Sequence, residues 1–155
     1  MAMRRNLIVM STEEIDAFLH ERHVMNIATL GPTGHPHLVA MWYGFLDDQP
    51  AFWTFAKSQK IVNLRRDPRI TALVEDGDRY EELRGVELVG RATIVDDYDR
   101  VLELGLSVGE RYNGPAARSE RARPLLEAQA RKRVAVVIGV ESIVSWDHRK
   151  LGGTY

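Results

Sequence analysis

Phe52-Trp53-Thr54-Phe55-Ala56-Lys57-Ser58-Gln59-Lys60-Ile61-Val62-Asn63-Leu64-Arg65-Arg66-Asp67-Pro68 decides the fold, because within it the apolar pattern changes from strand to helix. Ala51 to Phe55 is a short apolar and aromatic run of strand character. From Ser58 the apolar residues Ile61 and Leu64 fall three apart, and the helix stops at Asp67-Pro68, where the proline ring disfavours helical backbone at the residue before it. Ser58 takes the N-cap position of that helix. A helix start offers unpaired amides and the positive end of a dipole, here beside Lys57, Lys60 and a hydroxyl. A phosphate docked there accepts from the amides and Ser58, while the two lysines neutralise it. The same residues also suit an ordinary capped helix with solvated lysines.

Working towards the N-terminus, Asp47-Asp48-Gln49-Pro50 is a turn, preceded by a strand from His37 to Phe45. Gly31-Pro32-Thr33-Gly34 is another turn, preceded by a strand from Val24 to Leu30. Ser11-Thr12-Glu13-Glu14 reads as a capping box that opens a helix running out near His20 to His23. Towards the C-terminus, Ile70 to Glu75 and Leu83 to Val95 are strands, with Gly85 and Gly90 as candidate bulges. Helices follow at Tyr98 to Tyr112 and Arg118 to Arg131, with Pro124 a candidate start for the regular part of the second. Val134 to Trp146 closes the chain as a strand. Six strands with short turns and helices inserted between them predict an α+β fold: an antiparallel barrel in one domain over 1–155 with short flanking helices.

The 155 residues carry 21 Lys+Arg against 22 Asp+Glu, and this balance gives no electrostatic basis for nucleic-acid binding. With no cysteine, disulfide scaffolds, thiolate nucleophiles and Cys-ligated metals are excluded. No apolar run reaches the roughly 18 to 20 residues of a membrane span, and Met1 to Met10 is too short for a signal peptide, so a cytoplasmic location is expected.

Trp42 and Tyr43 on the second strand and Trp53 on the third are expected on neighbouring strands, and Trp146 ends the last. A barrel can gather the three indoles at one cleft for a flat heteroaromatic ligand; core or interface packing is the other reading. His35, His37, His148 and the pair His20 and His23 match no metal-ligand spacing, so no metal site is expected. Gly-x-Ser-x-Gly is absent and Asp147 adjoins His148, so a hydrolase triad is not supported. The basic segment Arg118 to Arg133 reads as a solvated helix face or as cations for an anionic ligand tail, and Glu75 to Glu82 as a hydrated hairpin tip.

Gly34-His35-Pro36-His37 leading to Trp42-Tyr43, followed by Ala56 to Arg69, resembles the pyridoxamine 5'-phosphate oxidase-like split-barrel superfamily over most of the chain. Within it, Leu83-Arg84-Gly85-Val86-Glu87-Leu88-Val89-Gly90 and Ser145-Trp146-Asp147-His148-Arg149-Lys150-Leu151 resemble the actinobacterial flavin/deazaflavin oxidoreductases of the B group. The resemblance implies an FMN-binding type of split barrel, a homodimer with cofactor clefts shared between subunits, and coenzyme F420 or a flavin as cofactor. Trp53 and Thr54 stand where the oxidases carry a flavin-contacting Tyr-Thr pair, and Ser58 and Lys60 where they hold the flavin phosphate with Ser-Arg-Lys. The Arg of that triplet is Gln59 here, the Arg opening their flavin strand is Leu38, and a Gln of theirs is Gly85. Two lost cations favour the deazaflavin, coenzyme F420, over FMN. The implied cofactor-binding set is Met41, Trp42, Tyr43, Trp53, Thr54, Lys57, Ser58, Lys60, Asn63 and Trp146. The expected function is hydride transfer to a planar small-molecule acceptor, with Tyr43 or His37 as candidate proton donors. A non-catalytic carrier of a flavin, deazaflavin or tetrapyrrole, or an FMN-dependent oxidase, is the alternative.

Overall fold

A computed structural model describes residues 4–22 and 24–153. Two helices open the chain, α1 (Arg4–Ile8), which sequence patterning did not foretell, and α2 (Thr12–Glu21). The expected capping box starts α2: Ser11 Oγ accepts from the Glu14 amide at 3.2 Å, and the Glu14 carboxylate accepts from the Ser11 amide at 2.7 Å. The strands are β1 (Met25–Leu30), β2 (Pro36–Met41), β3 (Gly44–Leu46), β4 (Gln49–Phe55), β5 (Arg69–Asp76), β6 (Arg84–Val95) and β7 (Arg133–Asp147). Between them lie α3 (Gln59–Arg66), α4 (Tyr98–Asn113) and α5 (Arg123–Ala130). The last helix begins five residues later than patterning suggested, with Pro124 in its first turn. No helix among the described residues is long and apolar enough to cross a membrane.

All pairings are antiparallel in one sheet of order β2-β1-β5-β6-β7-β4-β3. β2 and β3 are joined by Trp42 and Tyr43 alone, yet they occupy opposite ends of that order. Six strand spacings of about 4.8 Å put the ends of a flat sheet about 29 Å apart. Three Cα steps, from Met41 to Gly44, reach about 11 Å at most. The sheet must therefore curl until its two ends approach, which is the geometry of a split barrel.

This closure corrects the expectation of one strand from His37 to Phe45, and the seventh strand is its consequence. At the break the Tyr43 backbone is satisfied by a side chain instead of a ladder: its amide donates to Tyr112 Oη at 2.9 Å, and its carbonyl accepts from the same hydroxyl at 3.1 Å. The β3–β4 hairpin turns on Asp47 and Asp48, both at positive φ (51° and 61°), which suits a two-residue turn matched to strand twist. The register shift in the β6–β7 ladder falls at Val89/Gly90, where Glu141 is the extra residue. Gly85 is not a bulge. It pairs with Trp146, and a Cβ there would lie 2.3 Å from the indole.

Two cores result. Inside the curl, Phe18 of α2 and Ile61 and Leu64 of α3 pack on Ile27, Phe52, Val74, Leu88 and Ile138. Outside it, Val101, Leu104 and Val108 of α4 cover Ala51, Trp53, Ala135 and Val137. The alternation of Phe52 inward and Trp53 outward along β4 is the period-two pattern of a strand covered on both faces. Both cores meet at β4, and α3 starts directly beyond its end.

Candidate functional site

β4 ends at Phe55, and the Ala56 amide donates to the Lys132 carbonyl at 3.0 Å, tying this corner to the start of β7. Ser58 has the extended backbone of an N-cap (φ −69°, ψ 154°), and its carbonyl accepts from the Ile61 and Val62 amides. Its hydroxyl, however, makes no capping bond, and Oγ is buried without a partner. The expected cap is thus present in backbone only. Lys60 folds back, its ammonium donating to Thr54 Oγ1 at 3.0 Å. Burial lowers the Lys60 pKa, and the nearby Arg133 charge lowers it further. Lys57 is exposed and borders a cavity of about 510 Å³ with Phe55, Ala56, Arg131 and Lys132. These residues fit a phosphate group: an unspent hydroxyl, helix amides, and cations without carboxylate partners among the described residues.

Asn63, one turn on, is fully buried. Its amide donates to Thr29 Oγ1 at 3.0 Å, and its carbonyl oxygen accepts from Gln59 at 2.8 Å, so it braces α3 against β1. Trp53 is 7% exposed, packed so closely on α4 that a Cβ at Gly105 would lie 2.5 Å from its ring. Trp42 stacks on Tyr112 with ring centroids 4.3 Å apart, and Trp146 covers Gly85. The three indoles therefore have three different partners, and Trp42 and Tyr43 sit in the link between strands instead of beside Trp53 on a continuous one. Met41 ends β2 and packs partly on the inner core.

Tyr43 is wholly buried, and its hydroxyl is held by the Leu19 and Arg22 carbonyls. Burial pushes its pKa far above the usual phenol range. A hydroxyl so committed is a structural tie, which removes it as a proton donor. His37 is half-buried on β2 with Nδ1 shielded and unpartnered. His20 stacks on Phe45, and its Nδ1 lies 2.8 Å from the Asp16 carbonyl, while His23 lies outside the described residues. Among those residues no cluster of His, Asp and Glu is arranged to hold a metal.

The basic segment divides. Arg118 pairs with Glu110 and Arg123 with Glu127, whereas among the described residues no carboxylate pairs with Arg131, Lys132 or Arg133; Arg131 and Lys132 border the cavity at Ala56, and Arg133 lies over the Trp53 and Phe55 rings. At the acidic segment Asp76 is no hydrated tip: it bridges Arg22 at 3.1 Å and Arg84 at 2.8 Å.

Residues 11–147 match the family described as pyridoxamine 5'-phosphate oxidase. The chain belongs to that family. A curated relative, the F420H(2)-dependent biliverdin reductase of Mycobacterium tuberculosis (strain CDC 1551 / Oshkosh), is 34% identical over 117 residues, covering 73% of this chain and 79% of the relative. A solved structure of a conserved hypothetical protein from Mycobacterium tuberculosis is 47% identical with a TM-score of 0.89, covering 96% of this chain and 91% of that one. An F420 reductase structure is 26% identical with a TM-score of 0.65, over 83% of this chain and 94% of its own. The heme storage protein HutZ of Vibrio cholerae, 15% identical with a TM-score of 0.65 over 86% of this chain and 94% of its own, shares the fold. In this pyridoxamine 5'-phosphate oxidase family member, Leu38 is 70% exposed on β2 and Gly85 is roofed by Trp146.

Proposed function

We propose that this chain is a coenzyme F420-dependent oxidoreductase that moves hydride between the deazaflavin and a planar small-molecule acceptor. The observation that carries the reading is the unspent, buried Ser58 hydroxyl at the start of α3, beside a Lys60 with no carboxylate partner among the described residues. The biliverdin reductase and F420 reductase relatives support the deazaflavin ahead of FMN, as does the neutral pair Gln59 and Leu38 at two positions that are cationic in the oxidases.

When bound, the deazaflavin supplies the hydride chemistry itself. Ser58, Lys57 and Lys60 bind the phosphate end and so fix the register of the ligand along the cleft. Thr54 holds the Lys60 ammonium in place through its hydroxyl. Trp53, packed under α4 on the face of β4 opposite Thr54, keeps that strand rigid behind the corner. With Tyr43 committed to two carbonyls, His37, whose Nδ1 has no protein partner, is the residue left to hold a proton near the free edge of β2.

A second copy of the chain completes the clefts in this reading. The outer face of β2, β1, β5 and β6 presents Leu38 to solvent and contains a cavity of about 350 Å³ bordered by Ala28, Leu30, Pro36, Thr71 and Val89. An open sheet face of this kind, apolar at its centre with Arg69, Arg91 and Glu141 at its border, suits a two-fold dimer. Sedimentation at micromolar concentration is expected to give the dimer mass, and a monomer there would remove the partner from the site.

The deciding experiment is titration of deazaflavin and of FMN, followed by fluorescence, on wild type and Lys60→Ala. With a charge-assisted bond worth about 1.5 to 3 kcal/mol, the substitution weakens deazaflavin binding more than tenfold. An unchanged dissociation constant takes Lys60 out of the site. The commitment of Tyr43 favours one second reading, a carrier without turnover, which binds its ligand stoichiometrically yet fails to oxidise the reduced cofactor with any quinone, enone, nitro compound or bilin.

A further inference from the structure

The last turn of α4 brings Arg111 and Tyr112 against the link that joins β2 to β3. That link, Trp42-Tyr43, belongs to no strand. Tyr112 holds its backbone through the hydroxyl, at 2.9 Å and 3.1 Å from the Tyr43 amide and carbonyl, and holds its indole through the ring, with centroids 4.3 Å apart. Arg111 lies 4.9 Å from the centroid of the Tyr43 ring and donates to the Leu19 and Arg22 carbonyls, the same two that accept the Tyr43 hydroxyl. Two residues of irregular backbone are thus fixed largely from one helix end.

Fixing a residue costs conformational entropy, and an unsupported link would move among several backbone states. What the Tyr112 bonds secure is the direction of Trp42. The indole is 52% exposed although one face lies on Tyr112, so its other face is open. It also continues a row: Pro36, Leu38 and Ala40 are the exposed positions of β2, and Trp42 is next in the same alternation along this free edge. The last β3–β4 rung is Gly44↔Ala51, so the link leaves the sheet near the height of Phe52, two residues before the Thr54 that holds Lys60. Two residues of strand span about 7 Å, which one ligand with a phosphate at one end and a ring at the other covers.

We propose that Tyr112 is a positioning residue: by fixing the Trp42-Tyr43 link it presents the open indole face as a flat wall on which a planar conjugated ring of a ligand stacks. The inference rests on the oxidoreductase reading above, which supplies two such rings, that of the deazaflavin and that of the acceptor. An indole already seated on one ring loses little freedom when it meets a second. Stacking of this kind favours a flat conjugated partner over an aliphatic one of equal area.

Riboflavin carries such a ring and no phosphate, so it probes the wall apart from the α3 corner, and its fluorescence anisotropy reports binding to the full chain. Tyr112→Phe keeps the stacked ring and deletes both bonds to Tyr43. Trp42→Leu removes the wall and leaves those bonds in place. Each is expected to weaken riboflavin binding by about fivefold to tenfold. The double variant binds no more weakly than Trp42→Leu alone, because Tyr112 acts through Trp42, and Trp42→Phe recovers part of the loss. Wild type that binds no riboflavin, or an affinity unchanged in both single variants, overturns the proposal. So do fully additive losses, which a general loosening of the fold produces. Should Tyr112→Phe fail to fold, the exposed substitution Trp42→Leu decides alone, an unchanged affinity overturning the wall. A raised deazaflavin dissociation constant in these variants assigns the wall to the cofactor ring, whereas a raised KM for menadione at unchanged kcat assigns it to the acceptor ring. Wild type that binds riboflavin through Trp42 yet binds no deazaflavin removes the function proposed above and leaves the wall standing.

Discussion

Two serines begin two helices with nearly the same backbone, Ser11 at φ −70°, ψ 167° and Ser58 at φ −69°, ψ 154°. Ser11 spends its hydroxyl on the Glu14 amide within a complete capping box. Ser58 spends its hydroxyl on nothing. The cations nearby follow the same division. At the α2 end Arg84 bridges Glu21 at 2.6 Å and Asp76 at 2.8 Å, Arg22 also reaches Asp76, and Lys150 reaches Glu14. At the α3 end Lys60 and Arg133 are desolvated without a carboxylate partner among the described residues. One end is arranged to hold the fold together, and the other tolerates unmet polar groups, which is where a ligand is expected.

The sharpest way to break this comparison is to remove a cation from each end. Arg84→Met takes away the ion pair of Glu21 and leaves Asp76 with Arg22 alone, around a side chain only 13% exposed, and is expected to cost about 2 kcal/mol, between the values for exposed and buried pairs. Lys60→Met is expected to leave urea-unfolding stability unchanged or raised, because it deletes a repulsion. Equal losses in both would show that the two ends are alike. Ser58→Ala comes next, weakening deazaflavin binding about tenfold with stability held within a few tenths of a kcal/mol, as isothermal titration and denaturation together reveal. Ser11→Ala is the mirror image: about 1 kcal/mol of stability lost and no change in ligand affinity.

The smallest expected effect is on pH dependence. Asp76 and Glu21 have folded-state pKa values lowered: at Asp76 burial pulls upward but is outweighed by the Arg84 hydrogen bond and the Arg22 and Arg84 charges, and at Glu21 the Arg84 hydrogen bond leads. Their contribution is complete above the ordinary carboxylate range and is lost as pH falls through the lowered folded values. Lys60, also lowered, behaves oppositely: its penalty is full at neutral pH and fades as pH rises towards the unfolded-chain value of 10.5. Melting curves across pH should therefore show acid sensitivity that Arg84→Met reduces, and an alkaline gain relative to other losses that Lys60→Met removes.

Much of this was legible along the chain. The strand-to-helix change around Phe55 and Ser58, the capping box at Ser11 and the turns at Gly31 to Gly34 and Asp47-Asp48 are local signals, and all stand in the structure. The break at Trp42-Tyr43 was not legible, since the glycine beside it, Gly44, stands alone within a continuing apolar and aromatic run and carries no turn signal of its own. It arises from barrel closure and from a partner 69 residues away, Tyr112. Local pattern likewise could not separate Arg133 from Arg118 and Arg123, because only tertiary pairing reveals which of them meets a carboxylate. The positions of Lys57, Ser58 and Lys60 were readable at the helix start, whereas the commitment of Asn63 and Tyr43 to the protein depended on neighbours distant in sequence.

The link at Trp42-Tyr43 also equips the molecule with an optical gauge. One tyrosine hydroxyl, at the end of α4, acts as the missing rung of the ladder, and the same ring lies face to face with the Trp42 indole at an interplanar angle of 7°. Because Trp42 lies in the link between the sheet ends and Tyr112 on α4, widening that gap is expected to disturb their stacking. The emission of a chain in which Trp53 and Trp146 are replaced by Phe would then register the opening and closing of the barrel directly, with no attached dye.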